Sequence, residues 1–384
     1  MNSTFNNFRL SYISALFVFA GQLVFSQMSK PGYDDKLLFR GLSGVTVGAA
    51  TQSWTFDGLG TVSQQSAPIS LAVPLSNRIL FAAASTAGMT QLGDTSLSGI
   101  VDTRLSLSYM LPGDRFWLTA GASLPTGKTE LGIDELNLMT KISQTSLAFK
   151  IPVFGQGAGG NFGLAYGSSF TRRLVFGLGA SYAYRGKYIP VKGSSEYDPG
   201  DELSGNIGLD YITYSKEARF SADLSVSYFF VDTFGGDNIF QSGPRFVLFF
   251  VYSLKRGDLR HLVSVRTRYR LKNTFYDPAG TKEYDATTQV EGQYSCTIPI
   301  NGWLTANAVA EGKYYTADQV PFGTEVIETG TASIGSVGGD FLFAVSDIFF
   351  PVLNVRYARG SVKIDRTSYD VNGFEAGLGV KISF

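Results

Sequence analysis

Residues 373–384 decide the fold class, and they read Gly373-Phe374-Glu375-Ala376-Gly377-Leu378-Gly379-Val380-Lys381-Ile382-Ser383-Phe384. The even-numbered residues are all apolar, and the odd-numbered ones are glycine, serine or charged. This period of two is that of a β-strand with one apolar face. An apolar strand face can be exposed to a lipid bilayer, but only if the strands close into a barrel in which every backbone N–H and C=O group is hydrogen-bonded.

Similar alternating segments recur along the chain and are separated in turn by short turns and long polar loops. Turns such as Pro112-Gly113-Asp114 and Lys255-Arg256-Gly257-Asp258 contain the residues that tight hairpins require. The candidate strands are 44–56, 65–75, 78–88, 99–110, 115–124, 160–170, 173–185, 203–214, 219–231, 243–254, 259–271, 286–297, 303–315, 329–344, 348–360 and 373–384. We therefore predict an all-β fold, a transmembrane antiparallel up-and-down barrel of about 16 strands with both ends in the periplasm. If residues 44–75 formed a plug instead, 14 strands would remain.

The composition agrees with a barrel and excludes other classes. The chain of 384 residues has 44 Gly, 30 Phe and 20 Tyr and a formal net charge of zero. Neutral charge argues against nucleic acid as a partner. The single cysteine, Cys296, excludes an intramolecular disulfide and a cysteine-rich metal site.

The N-terminal residues predict export. Arg9 precedes the mostly apolar stretch 13–25, and Ser26 offers a small residue for cleavage. We expect a signal peptide over 1–26, a periplasmic segment or small hatch over 27–43, and the barrel over 44–384. Within the second segment, Leu37, Leu38 and Phe39 would need burial, in the lumen or against the periplasmic rim of the barrel. Disorder of the segment is the alternative.

The segment 126–159 interrupts the strand rhythm. It contains Ile133–Met139, which favours a helical turn or two, and the apolar piece Leu147–Phe154. Two interpretations stay open. The segment is either an ordinary external loop or a loop folded inward that narrows the pore.

Charged residues on the faces opposite the apolar rows are predicted to point into the lumen, because a charge facing lipid at the midplane costs roughly 2–4 kcal/mol. The predicted lumen-lining residues are Asp102, Arg104, Asp210, Asp223, Arg266, Arg268, Arg270, Glu291, Glu311, Arg356, Glu375 and Lys381. Their pairing would stabilise the wall. A row of arginines facing carboxylates would also set a field across a water-filled pore.

Motifs for cofactors and catalysis fail on their context. Gly155–Gly160 matches G-x-G-x-x-G, but a strand follows it where dinucleotide binding requires a helix. Gly127-Lys128-Thr129 lacks the earlier glycine of a P-loop, since Ala122 occupies that position. The only histidine, His261, lies in register with lipid-facing Val263 and Val265 near the periplasmic rim. We therefore predict no cofactor, no metal and no enzyme activity.

The terminal strand resembles that of bacterial outer-membrane barrels, whose last aromatic residue is recognised by the barrel assembly machinery; the resemblance implies that Phe384 is an assembly signal. Over most of its length the chain resembles, in architecture and order of features, the outer-membrane transporters of long-chain fatty acids and toluene. The stretch Leu178–Tyr188 is similar to strands of that group, and Leu124-Pro125-Thr126-Gly127 is similar to a motif of barrels linked to phenol degradation. The resemblance implies an outer-membrane location, contact with lipid and passive transport of small hydrophobic or amphipathic solutes. The alternatives are a porin-like channel for polar solutes and a structural protein with a filled barrel.

Overall fold

The alternating segments form strands, seen in a computed structural model that describes residues 43–143, 146–215, 217–277, 280–322, 325–364 and 367–384. The predicted signal peptide, the predicted hatch up to residue 42 and its residues Leu37–Phe39 lie outside the described residues. The first strands, in chain order, are β1 (Gly44–Phe56), β2 (Gly60–Ser76), β3 (Ile79–Leu92), β4 (Thr95–Ile100), β5 (Thr103–Met110), β6 (Phe116–Leu124), β7 (Gly159–Ser169), β8 (Leu174–Arg185), β9 (Tyr197–Asp198), β10 (Glu202–Ile212), β11 (Ala218–Phe229) and β12 (Asp232–Phe234). The remaining strands are β13 (Asp237–Gln241), β14 (Arg245–Arg256), β15 (Leu259–Arg270), β16 (Asn273–Asp277), β17 (Gly280–Tyr284), β18 (Thr287–Pro299), β19 (Leu304–Tyr315), β20 (Asp318–Phe322), β21 (Glu325–Thr329), β22 (Ala332–Phe343), β23 (Phe349–Ile364) and β24 (Thr367–Ile382).

The long strands close into one antiparallel barrel of 16 strand positions. Each pairs with its neighbour in the chain, and β1 pairs with β24 from Val45 opposite Ile382 to Phe56 opposite Val371. Closure leaves no sheet edge with unpaired backbone groups in the bilayer. The predicted fold class and the count of sixteen are confirmed, and 44–75 forms β1 and most of β2 rather than a plug.

One predicted strand is divided in the structure. The segment predicted as 99–110 becomes β4 and β5, which both pair along β3 and together fill one strand position. Val101 and Asp102 interrupt the pairing, although the Val101 N–H still donates to Thr86 O at 2.8 Å. At this interruption the Asp102 carboxylate contacts the connection between β6 and β7.

The outward and inward faces follow the alternation. On β11 the side chains of Phe220, Leu224, Val226 and Tyr228 are exposed, whereas those of Ser225 and Ser227 are buried. An exposed apolar row on a closed barrel is the surface that meets lipid. Aromatic side chains gather near the ends of the strands, with pairs such as Phe116–Tyr166, Phe170–Phe176 and Trp303–Phe343 at the end with short turns.

The two ends of the barrel differ. At one end of the barrel the strands are joined by short turns. Glycines in these turns, such as Gly113 (φ 91°) and Gly257 (φ 61°), adopt the left-handed conformation that tight turns require. At the other end β17, β16, β13, β12 and β9 form a separate five-stranded sheet around Ile239, Phe240 and Phe275, and β20 pairs with β21. These strands were not predicted, since two to five residues are too few to display a period.

The longest connection lies inside the barrel. Residues 125–158, between β6 and β7, contain the helix α1 (Ile133–Ile142) and are called the inward loop below. Of the described helical segments, none is long and apolar enough to cross a membrane.

Candidate functional site

The inward loop packs against one side of the inner wall near the end with long loops. Its side chains Leu131, Leu138, Ile142, Leu147, Phe149, Ile151 and Phe154 are at most 4% exposed. They form one cluster with inward-facing wall residues, among them Trp54, Phe56, Val62, Leu97, Ile334, Val362 and Val371. Removing this apolar surface from water holds the loop in place, at roughly 25 cal/mol per Å². Of the two interpretations of 126–159, the structure therefore supports the inward one.

Two buried glutamines bind the backbone of the loop as a neighbouring strand would. The Gln64 amide donates to Ile151 O at 2.9 Å and accepts from Ile151 N–H at 2.8 Å. The Gln52 amide donates to Ala148 O at 3.2 Å and accepts from Lys150 N–H at 2.7 Å. Backbone groups that leave water inside a barrel need such partners. Sequence reasoning missed both glutamines, although each stands on the polar face of its strand.

Asp102 joins the two ends of the inward loop. Its carboxylate accepts the N–H of Gly127 at 2.9 Å and that of Gln156 at 2.6 Å. The backbones meet so closely here that a Cβ on Gly127 would lie 2.1 Å from Phe154 O. Asp102 is only 8% exposed. Asp102 lies on the inner face, and its carboxylate binds the two ends of the loop.

Glu375 also serves the loop. It forms an ion pair with Lys150, with 2.8 Å between Nζ and Oε1. It accepts further hydrogen bonds from Gln52 at 3.1 Å and Asn354 at 3.3 Å. Glu375 therefore lies on the inner face, as predicted, with its carboxylate directed to the loop and the neighbouring strands.

The helix of the loop has its own stabilising contacts. Glu135 accepts the Gly132 N–H at 3.0 Å and binds Lys128 Nζ at 2.5 Å. Burial alone would raise the pKa of Glu135, but these two donors hold it below its usual range. Asp134 and Glu135 lie in the first helical turn and Lys141 in the last, which complements the helix dipole.

Five arginines lie on the inner faces of three strands and are called the arginine wall. They are Arg185 on β8, Arg245 on β14, and Arg266, Arg268 and Arg270 on β15. On β15 the alternate residues Val263, Val265 and Tyr269 are exposed to the outside, so the three arginines between and beyond them face inward, as predicted. Arg268 donates to Gln289 at 2.7 Å. Arg245 and Arg185 both bind Glu202, at 2.5 and 2.7 Å.

Sequence reasoning missed Arg185 and Arg245, although the strand alternation that located Arg266 also places both on inner faces. Glu202 was missed because it precedes the predicted strand 203–214, whereas the observed strand begins at Glu202. Arg185 and Arg245 also contact the same aromatic ring, that of Phe229. The Phe229 ring is buried and lies 4.8 Å from the Arg245 guanidinium and 5.5 Å from that of Arg185.

Carboxylates face the lower part of the arginine wall. Glu291 is paired in register with Arg266 and accepts the Tyr315 O–H at 2.5 Å. Glu311, one strand further, lies 3.4 Å from Lys313 and accepts the Ser336 hydroxyl at 3.2 Å. Glu291 and Glu311 line a cavity of about 150 Å³ together with Phe249, Ser264, Arg266, Gly292 and Gln293. Because Tyr315 also packs in the apolar cluster of the inward loop, the loop and the charged wall adjoin.

The other predicted residues also lie on inner faces but in separate places. Arg356 pairs with Asp340 at 2.7 Å, and Asp210 pairs with Arg219. Asp223 lies opposite Gly208, where a Cβ would collide with its carboxylate. Arg104 is exposed and opposite Ser123. Lys381 lies at the periplasmic end, opposite Thr46.

His261 lies on the outer face with the lipid-facing residues, where its register had placed it. Its Nδ1 is 2.9 Å from the hydroxyl of Tyr294, which is 44% exposed. It is paired in register with Cys296. The arrangement is directed away from the inner wall.

Comparisons with known proteins return barrels of the same class. No protein-family model matches the chain, and no curated protein matches it. Among solved structures, the monoaromatic hydrocarbon channel CymD is 14% identical with a TM-score of 0.39, and covers 89% of this chain and 89% of its own. The high-pH structure of Pseudomonas putida OprB is 10% identical with a TM-score of 0.44, over 89% of this chain and 94% of its own. The outer-membrane channel DcaP of Acinetobacter baumannii is 11% identical with a TM-score of 0.42, over 89% and 96%.

The outer-membrane assignment follows from the barrel itself. Sixteen antiparallel strands close without an edge, an apolar outer surface alternates with a polar inner one, and short turns mark one end. The resemblance to outer-membrane barrels is confirmed at the level of this class. The chain is a β-barrel protein of the bacterial outer membrane.

Proposed function

We propose that the chain is a passive channel for small polar solutes, with a water-filled lumen that the inward loop narrows from one side. The observation that carries this proposal is the accessibility of charged side chains on the inner face. Arg219, Asp340 and Glu311 retain 33%, 32% and 30% of their side-chain exposure although they face inward. A barrel of about sixteen strands leaves an aqueous lumen unless loops fill it.

The apolar part of the inward loop supports the polar alternative over the hydrophobic one. Its large side chains are turned against the wall and are almost completely buried, with Phe154, Leu147 and Ile151 at 0 to 1% exposure. They are therefore occupied by one another and offer little apolar surface to a solute. The surface left to a passing solute beside the loop is that of the arginine wall and its carboxylates.

A second candidate is passage of amphipathic solutes, in keeping with the resemblance to transporters of hydrophobic compounds. A pocket of about 140 Å³ at the loop helix supports it, because Leu92 and Leu138 lie there beside Asp134, Asn137 and Lys141. Such a mixed lining suits a molecule with one apolar and one polar end. The pocket is small, and it lies at the loop rather than along the lumen.

The proposal contains no catalytic step. Acyl transfer needs a general base within reach of a nucleophile, whereas His261 faces outward and pairs with Tyr294. Contact of the outer surface with lipid, and recognition of Phe384 by the assembly machinery, are part of the proposal.

Swelling of liposomes that contain the refolded protein tests the proposal. Neutral sugars of increasing size should enter at rates that fall with size, and an apolar probe such as toluene should enter no faster than in protein-free liposomes. Sugar entry indistinguishable from protein-free liposomes would favour the filled barrel. Accelerated entry of the apolar probe alone would favour the second candidate.

A further inference from the structure

Positive charge is concentrated where β14 and β15 reach the end of the barrel with long loops. Arg245 and Arg270 are directly opposite in register, and Arg268 is the next inward-facing residue along β15. Opposite side chains on antiparallel strands lie about 5 Å apart and diagonal ones about 7–8 Å apart. Like charges in these positions repel, and an anion bound between them would reduce the repulsion.

Among the described side chains, the carboxylates next to the arginine wall do not balance its charge. Glu202 is shared, since Oε2 accepts from Arg185 and Oε1 from Arg245. Glu291 lies opposite Arg266 and is bound by the Tyr315 hydroxyl. Arg268 donates to the neutral amide of Gln289. In the part of the chain that the structure describes, the guanidinium groups of Arg185, Arg245, Arg266 and Arg268, together with Lys313, face the three carboxylates of Glu202, Glu291 and Glu311, which leaves an excess of two positive charges even without Arg270.

The patch is partly withdrawn from water, which strengthens its attraction for an anion. The side chains of Arg245 and Glu202 are 28% and 16% exposed. Charges interact more strongly there than at an open surface, because the effective dielectric constant is lower. In addition, the Nε–H groups of Arg245 and Arg268 have no acceptor among the described residues. The planar fork of donors on a guanidinium fits the oxygens of a carboxylate, phosphate or sulfate.

We propose that Arg245, Arg268 and Arg270 form a binding site for a divalent oxyanion, sulfate or phosphate, whether free or carried by a solute. The excess of two positive charges matches a dianion better than a carboxylate or chloride, and several forked donors match a tetrahedral oxyanion. The proposal rests on the proposed channel function only for passage of the anion through the lumen. Binding itself requires no conduction.

Single-channel recording in potassium chloride with added potassium sulfate tests the site. Sulfate should block the chloride current in the native protein, and inorganic phosphate and a sugar phosphate should do so as well, whereas acetate and a neutral sugar should not. In the double variant R268Q/R270Q the half-blocking sulfate concentration should rise at least about tenfold, since two charge-assisted donors are lost. The matched control R172Q/R256Q removes two exposed arginines at the short turns and should keep the native value.

Block by the sugar phosphate but not by inorganic phosphate would assign the site to phosphorylated solutes, while block by both would assign it to the oxyanion alone. Equal sulfate block in the native protein and R268Q/R270Q would overturn the site. Calorimetric titration of sulfate into the detergent-solubilised barrel separates this result from failure of the channel. If the protein conducts no ions but binds sulfate, and R268Q/R270Q does not, the site stands and the channel proposal fails. If it binds no sulfate by either method, while gel mobility shows a folded barrel, the site is wrong.

Discussion

Lys150 on the inward loop is ion-paired with Glu375 on β24, with 2.8 Å between Nζ and Oε1. Glu375 is also the register partner of Gln52 on β1, and Gln52 donates to it. The seam that closes the barrel and the loop that narrows it therefore meet at one carboxylate. Loop position and barrel closure are coupled through this group.

Removing the two partners of this ion pair should have unequal effects. Lys150 is 43% exposed, so Lys150→Met should lower the free energy of unfolding by no more than about 1 kcal/mol. Glu375→Ala also removes an acceptor of the Gln52 amide and the acceptor of the Asn354 amide, and it should cost about 1–3 kcal/mol. Urea unfolding in lipid or detergent micelles, followed by tryptophan fluorescence, measures both. Equal losses would show that the ion pair, rather than the amide contacts, is the important interaction.

Asp102 should control how firmly the ends of the loop are held. Asp102→Ala removes the acceptor of the Gly127 and Gln156 N–H groups. Each buried donor left unpaired costs about 1–3 kcal/mol, so amide exchange at these positions should accelerate about ten- to a hundredfold. Exchange in β11, on another part of the barrel, serves as the control. Unchanged exchange at Gly127 and Gln156 would mean that the apolar cluster alone holds the loop.

Phe154 should be the most costly apolar residue of the loop to truncate. Its side chain is completely buried among the loop and the wall, so Phe154→Ala should destabilise the loop by about 3–5 kcal/mol. Ile133→Ala in the same loop is the matched control, because Ile133 is 72% exposed. Protease digestion should cut the loop in the first variant only. Equal resistance of both would contradict the packed loop.

Strand alternation explains why the barrel was predictable and the site only in part. A period of two assigns each residue of a long strand to one face, which located Arg266, Arg268, Arg270 and the carboxylates opposite them. The same rule cannot assign a residue in a connection. The direction of residues 126–159 therefore could not be predicted, because it depends on contacts with Gln52 and Gln64, which are distant in sequence. The partners of Asp102, the N–H groups of Gly127 and Gln156, could not be predicted, because they are distant from it in sequence.

The prediction that alternate residues of β15 point to lipid and to the lumen can be tested by placing an arginine at two adjacent positions. Val265 lies near the middle of the strand and faces outward at 38% exposure, so Val265→Arg should cost about 2–4 kcal/mol in folding free energy. Ser264→Arg faces the lumen and should fold normally with an altered conductance. Folding yield into lipid vesicles, read from heat-modifiable gel mobility, gives the comparison. A tolerated Val265→Arg with a misfolded Ser264→Arg would shift the register by one residue.

Two tyrosines of the extracellular connections, Tyr188 and Tyr197, should lose their phenolic protons at a higher pH than an ordinary tyrosine. Burial raises the pKa of Tyr188 to about 12 and raises that of Tyr197 too, and Tyr197 donates to Asp232 at 2.5 Å. Because the folded-state pKa exceeds the unfolded value of 10.0, the stabilisation is complete below pH 10 and is lost as the pH rises through about 12. Absorbance at alkaline pH should show the Tyr188→Phe/Tyr197→Phe variant losing amplitude only from the late part of the titration. Loss of amplitude near pH 10 instead would place both phenols in water.

Conductance of single molecules in a planar bilayer tests the central claim, that the lumen is aqueous and the inward loop narrows it. The native protein should open discrete channels in potassium chloride. A variant in which residues 130–153 are replaced by a short glycine-serine linker should conduct more strongly, because the loop no longer occupies the lumen. Gel mobility of both proteins establishes that each forms a folded barrel. If both proteins form folded barrels and conduct equally, or if neither conducts, the claim that the inward loop narrows an aqueous lumen is wrong.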